Sequence, residues 1–397
     1  MNESTALRLN SHLDQVIAGA MSRERVAGTV VLVSVDGNLV YQKAAGMADR
    51  EQNRAMSLDA IFRLASVTKL ITAVAALVLA AEGKLRWDDA VVKWIPGFRP
   101  RLSDGREPVI TLRQLMTHTA GLDYGFDLGR TDYHAARISN GLDMAGLGID
   151  EALERLASVP LLFEPGTRWN YSLSVDVLGE VLARASGQSL PQLIRSRVTD
   201  RLGMRDTDFR VLDRSRLAAS YVDGMPRPLR MGDPHVAPTR MGSCRFSPSR
   251  IDDAKSYPSG GAGMAGTAKD LLLLLETIRL GGAPILDADG VQALCTNALP
   301  EQIAYRQPGW VFGEPGWTFG LGVAVLYDAT ITRTPHDRGT WHGGGAYGHH
   351  WFVNPMRKLS AVIFTNTAFE GCEGAFPTDI RDAIYHALSA DEISQSD

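Results

Sequence analysis

The chain has 397 residues, 45% hydrophobic and 22% charged, a balance that fits a globular protein and excludes a disordered or fibrous one. Its formal charge is −4 with no long basic run, which argues against nucleic acid or an anionic membrane surface as a partner. Three widely spaced cysteines, Cys244, Cys295 and Cys372, support neither a disulfide framework nor a Cys-cluster zinc site.

The opening stretch, MNESTALRLNSHLDQVIAGAMSRERV, is polar at its start and patterned as an amphipathic surface helix. It lacks the charged, apolar and small-residue succession of a secretory signal, so a cytoplasmic protein is expected. AGTVVLVSVDGNLVYQKAAG (27–46) follows as two strands joined at Asp36-Gly37, a hairpin signal. The longest apolar run, LITAVAALVLAA (70–81), lies between Lys69 and Glu82-Gly83-Lys84. It is too short to span a bilayer and predicts a buried helix that begins near Ser66.

From about 85 to 250 the helical runs DEALERLASV (150–159) and DVLGEVLARASG (176–187) stand out, the second ending on Gly187 as a C-cap. TAKDLLLLLETIRLGG (267–282) reads as a helix. WTFGLGVAVLYD (317–328), GHHWFVN (348–354) and LSAVIFTN (359–366) read as strands, and PTDIRDAIYHAL (377–388) as a closing helix. The expected fold class is α/β (α+β): one antiparallel sheet with helices on its faces, built from both chain ends (1–84 and 255–397). A mostly helical lobe (85–254) is inserted between them.

WHGGGAYGHHW (341–351) carries an HGGG stretch like the oxyanion-hole loop of lipases, which donates a backbone N–H to a developing oxyanion. Yet no G-x-S-x-G nucleophile elbow occurs anywhere in the chain. The nucleophile candidate lies far upstream, in FRLASVTKLITAVAALVLAAEG (62–83). Ser66 and Lys69 stand three apart and share a helix face. Ser66 is the only serine with a lysine three residues on, and Lys69 is one of just seven lysines. The structural alternative makes Ser66 an N-cap and lets Lys69 snorkel to water. Against it, an apolar setting lowers a lysine's pKa and frees a neutral amine as base. Ser–Lys pairs are an established variant of nucleophilic catalysis.

SVTK, with LMTHTAGL (115–122) and PSGGAGM (258–264), resembles the class C β-lactamase and DD-peptidase superfamily. Within it the chain looks most like the family VIII carboxylesterases, over nearly its whole length. The resemblance implies a tyrosine at a helix start in the helical lobe. PGTRWNYSLSVDVLGEVL supplies Tyr171, whose phenolate would take the proton from Ser66, with Lys69 holding both in a usable protonation state. Whether Tyr171 or Lys69 is the true base stays open.

Two departures from the β-lactamases follow. Their Y-x-N asparagine is Leu173 here, and their K-T-G triplet falls on Gly343-Gly344-Gly345. The oxyanion N–H then falls on Ala346, with Ser66 N–H as the second donor. Aligned one residue earlier, the strand brings His342 to the site. Tyr124 and Trp351 are further candidates for pocket walls, beside Leu173, His342 and Gly343.

His349 and His350, adjacent on a strand, point to opposite faces, and no H-E-x-x-H occurs, so neither a metal nor a cofactor is expected. His118 in THTAGL is expected to pin a loop. The implied activity is hydrolysis of short-chain carboxylic esters through an acyl-enzyme, on a small-molecule substrate, with the oligomeric state open. The alternatives are a β-lactamase or DD-peptidase, an acyltransferase, and a non-catalytic penicillin-recognising protein.

Overall fold

The computed structural model describes residues 1–126, 129–239, 242–304 and 315–394. Among them, eight strands form one antiparallel sheet. They are β1 (Gly28–Val35), β2 (Asn38–Asp49), β3 (Arg54–Ala55), β4 (Trp317–Phe319), β5 (Ala324–Leu326), β6 (Trp341–Gly345), β7 (His349–Asn354) and β8 (Leu359–Thr365). Their spatial order is β4-β5-β6-β7-β8-β1-β2-β3. The last strand therefore lies beside the first, with Val31 opposite Ile363, and both chain ends build one sheet. The β1–β2 turn forms where expected, with Asp36 at φ 51° and Gly37 at φ 81°, the left-handed pair that a tight hairpin needs.

Period-two alternation sorts the strand residues onto two covered faces. Val31, Val33, Phe352, Ala361 and Ile363 pack under α1 (Glu3–Ser22) and the last helix, which runs from Ala375 to Ser394. Val30, Leu32, Trp351, Val353, Val362 and Phe364 pack on the opposite side with α2 (Thr68–Ala81). Each fully buried aliphatic or aromatic side chain contributes roughly 1.5–3 kcal/mol to that packing. Every residue of α2 from Thr68 to Leu79 is buried, because the helix is enclosed between the sheet and the helical lobe.

In the lobe lie α3 (Ile149–Ala157) and α4 (Ser174–Ser186). Gly187 caps α4 in the left-handed conformation at φ 68°, as its sequence predicts. In the later part of 85–254 the described residues include two strand pairs where helix was expected. Tyr221–Val222 pairs with Leu229–Arg230, and His235–Thr239 pairs with Gly242–Phe246. Pro226, Pro228, Pro234 and Pro238 forbid continuous helix there. After the lobe, α5 (Ala268–Arg279) returns the chain to the sheet, and α6 is the Ala375–Ser394 helix.

The run 317–328, expected as one strand, is a hairpin of β4 and β5. Its turn presses on α2 so closely that a Cβ on Gly322 would lie 2.4 Å from Ala73 Cβ, and Gly322 sits at φ 116°. Only glycine permits that reversal. No described helix is long and apolar enough to cross a membrane.

Candidate active site

The site begins at the turn before α2. Phe62–Arg63 pairs with Ala265–Gly266, and Leu64 N–H donates to Met264 O at 2.8 Å. Ala65 then adopts φ 45°, an uncommon conformation for a residue with a Cβ, and one turn of 3-10 helix (Ala65–Val67) leads into α2. This geometry leaves Ser66 part-exposed at the end of a buried helix. No side chain caps that end, so Ser66 is not the N-cap of the structural alternative.

Lys69 does not snorkel either. It is 5% exposed, and its Nζ donates to Ser66 Oγ at 3.1 Å and to Gly261 O at 2.8 Å. The amine sits 4.8 Å from the Tyr171 ring centre and 5.2 Å from that of Tyr124. Burial pushes its pKa down to about 7, opposed by the negative field of Asp176.

Tyr171 hydrogen-bonds Ser66 through its hydroxyl. The segment around it is tied to His118: Asn170 N–H donates to His118 O at 2.9 Å, and Ser172 N–H donates to His118 Nδ1 at 3.2 Å. The His118 ring lies 4.7 Å from the Tyr171 ring, so His118 pins this loop as expected. Burial raises the Tyr171 pKa, and the bond from Ser66 offsets only part of that. Desolvation thus runs against the accessible phenolate expected from the sequence and towards a neutral Lys69 amine.

Strand β6 forms the opposite wall. Its odd-numbered residues, Trp341, Gly343 and Gly345, share the face of Trp351 and α2, and a Cβ on Gly345 would lie 2.3 Å from Leu64 O. Glycine there permits the strand to approach the Ser66 turn. Ala346 follows at the strand's end, part-exposed. On Gly343 a Cβ would meet Trp351 Cζ2 at 2.6 Å, so Trp351 fills the space that the stem of a K-T-G lysine would need.

The alternation turns His342 and Gly344 the other way. His342 stacks edge-on against Trp317 at 4.3 Å and lies 5.6 Å from His350, on the face covered by α6, with its pKa held down to about 3 by burial first and then by His350 and Arg381. His342, expected as a pocket wall, thus points to the opposite side of β6 from Gly343 and Gly345. Gly344 faces Cys372. His349 turns towards α2 and hydrogen-bonds Arg63 O through Nε2 at 2.7 Å, so the two adjacent histidines do diverge.

Tyr124 reaches the site, stacked on Phe126 at 4.7 Å and 5.4 Å from the Tyr171 ring. Leu173 and Trp351 lie in the apolar core that backs it, each 2% exposed. The sequence reading missed Asp176 and the Lys69 acceptor Gly261. Gly261 was visible only as part of PSGGAGM, and Asp176 as an ordinary acid in a helix's first turn.

A serine, a buried lysine and a tyrosine beneath a glycine strand, on this sheet, define a serine-nucleophile enzyme class. The beta-lactamase family model matches residues 13–383, and the chain belongs to that family. It is 44% identical to Esterase EstB of Burkholderia gladioli over 386 residues, covering 96% of each chain. Among solved structures, EstCE1, a hydrolase with promiscuous acyltransferase activity, superimposes with a TM-score of 0.90 at 40% identity, covering 96% of this chain and 99% of that one. Simvastatin Synthase (LovD) from Aspergillus terreus shares the fold, with a TM-score of 0.74 at 20% identity over 98% of this chain and all of that one. The likeness to carboxylesterases of the β-lactamase superfamily, and the α/β fold expected with it, are borne out.

Proposed function

We propose that the chain hydrolyses short-chain carboxylic esters through an acyl-enzyme on Ser66. The observation that carries this reading is the convergence on one serine oxygen of Lys69 Nζ, at 3.1 Å, and the Tyr171 hydroxyl. As Ser66 Oγ attacks the ester carbonyl, its proton passes to the neutral Lys69 amine. The resulting ammonium returns a proton, relayed through the Tyr171 hydroxyl, to the departing alkoxide, which leaves as the alcohol. The carbonyl oxygen carries the charge in the tetrahedral species, held by the N–H groups of Ser66 and Ala346. Loss of one such donor costs about 10²–10³ in turnover. Water then attacks the acyl group by the same route in reverse, releasing the acid and restoring Ser66.

EstCE1, described as a hydrolase with promiscuous acyltransferase activity, supports a second reading, in which an alcohol replaces that water. Adding an alcohol to an ester assay separates the two: transfer gives a new ester, hydrolysis gives only acid.

β-Lactam cleavage is disfavoured because Trp351 occupies the lysine's place and Leu173 offers no amide. Each missing hydrogen bond is worth about 1–3 kcal/mol. The test is labelling with a fluorophosphonate followed by peptide mapping, beside turnover of p-nitrophenyl esters of increasing chain length. The adduct is expected on the peptide containing Ser66, with Ser66→Ala unlabelled and folded yet slower by about 10⁴-fold or more. An adduct on Ser172 or Ser259 overturns the reading.

A further inference from the structure

Asp176, in the first turn of α4 and five residues beyond Tyr171, is 6% exposed. One carboxylate oxygen, Oδ1, accepts the Ser259 hydroxyl, and the carboxylate also receives the backbone N–H of Gly261. Burial raises the Asp176 pKa, and these two bonds together with Lys69 and Arg250 oppose the rise.

Gly261 lies between this carboxylate and Lys69. Lys69 Nζ donates to the Gly261 carbonyl at 2.8 Å. A Cβ on Gly261 would lie 2.5 Å from Asp176 Oδ2 and 3.4 Å from Lys69 Nζ. Carboxylate and amine therefore stand within about 6 Å of one another, a range over which an opposite charge favours the ionised form.

The other groups around this pair do not supply that charge. On the 118–124 segment, burial keeps His118 uncharged and Tyr124 protonated, and Tyr171 likewise retains its proton. Beyond Asp176, burial holds Tyr257 protonated as well. Arg250 is occupied by Asp143 O at 3.0 Å and Tyr257 O at 2.8 Å. The strand wall at Gly343 and Gly345 contributes no ionisable side chain.

We propose that Asp176 is a positioning residue for the reaction: its carboxylate, across Gly261 from Lys69, holds the amine's proton affinity high enough for it to accept the Ser66 proton at neutral pH. This rests on the reading of Lys69 as the base. Without the carboxylate the amine is a weaker base that stays neutral to lower pH. The same burial that lowers the Lys69 pKa is opposed by Asp176.

The experiment is the pH profile of kcat/KM on p-nitrophenyl acetate for the full chain and for Asp176→Asn, with fluorophosphonate labelling of both. The wild-type acidic limb is expected near the Lys69 value of about 7. In Asp176→Asn the limb moves to lower pH by about one unit, and the plateau falls several-fold, because a weaker base transfers the proton less readily. An unmoved limb with activity merely scaled down overturns the proposal and leaves Asp176 as a loop pin. Where that variant does not fold, Gly261→Ala serves instead: its Cβ displaces the carboxylate, so the limb shifts in the same direction, and an unmoved limb is again fatal. Wild type that labels at Ser66 while the variant's limb stays put sinks Asp176 alone. Wild type that does not label at Ser66 sinks the Ser–Lys reading and this proposal with it.

Discussion

The two faces of the sheet are equally buried but differently built. On the α1 and α6 side the core is aliphatic and aromatic, with Tyr385 as a polar hub at its margin. Tyr385 meets both His336 Nδ1 and Asn354 Nδ2 at 2.8 Å. On the α2 side the chain keeps a buried lysine, a buried carboxylate and a strained Ala65 turn. One face maximises packing. The other buries an amine, a carboxylate and a left-handed alanine, each of which costs stability. Substitutions on the two faces should therefore separate activity from stability.

The largest effects belong to the α2 face. Lys69→Met and Tyr171→Phe should each lower kcat by about 10³–10⁴, and the double variant should lose little more, because residues acting as one unit are not additive. Steady-state kinetics on p-nitrophenyl acetate check this, and losses that multiply would mean that the two serve separate steps.

Gly343→Lys tests the wall of the same site. Its Cβ collides with the Trp351 ring, so the variant should lose about 1–3 kcal/mol of stability to overpacking and still fail to open nitrocefin. Nitrocefin turnover approaching ester turnover would show that Trp351 does not exclude the β-lactamase lysine. With cephalosporins that carry an acetyl ester, the wild type should release acetate and leave the ring absorbance unchanged.

On the α1 and α6 face, Phe352→Ala removes a fully buried ring. It should cost about 3–5 kcal/mol, visible as a lower Tm, while turnover per folded molecule stays near wild type. The smallest effect is expected at His342. Because it lies on this far face, His342→Ala should shift stability by about 1 kcal/mol and leave kcat/KM within a few-fold. A large loss of kcat in His342→Ala would break the division between the faces.

Much of the fold was legible because its signals are local. The Asp36-Gly37 turn, the Gly187 cap and the uninterrupted apolar run of α2 each depend on a handful of adjacent residues. The Ser66–Lys69 pair is local too, since a spacing of three on a helix brings two side chains together whatever surrounds them. The hairpin within 317–328 was not legible, because Gly322 owes its role to Ala73, some 250 residues away in sequence.

What the sequence offered by itself was a candidate nucleophile in Ser66, most of the order of the elements and the glycine strand that lies against the Ser66 turn. Only the tertiary structure decided the proton balance. The same tyrosine and lysine permit two bases on paper, and their surroundings favour the protonated phenol and the neutral amine because desolvation penalises a phenolate and an ammonium alike. The fold likewise turned His342 away from the serine, since the register of β6 against β7, and not the HGGG string, fixes which side chains share a face. It also set Asp176 across one glycine from Lys69, a meeting of three distant segments that no spacing in the chain encodes.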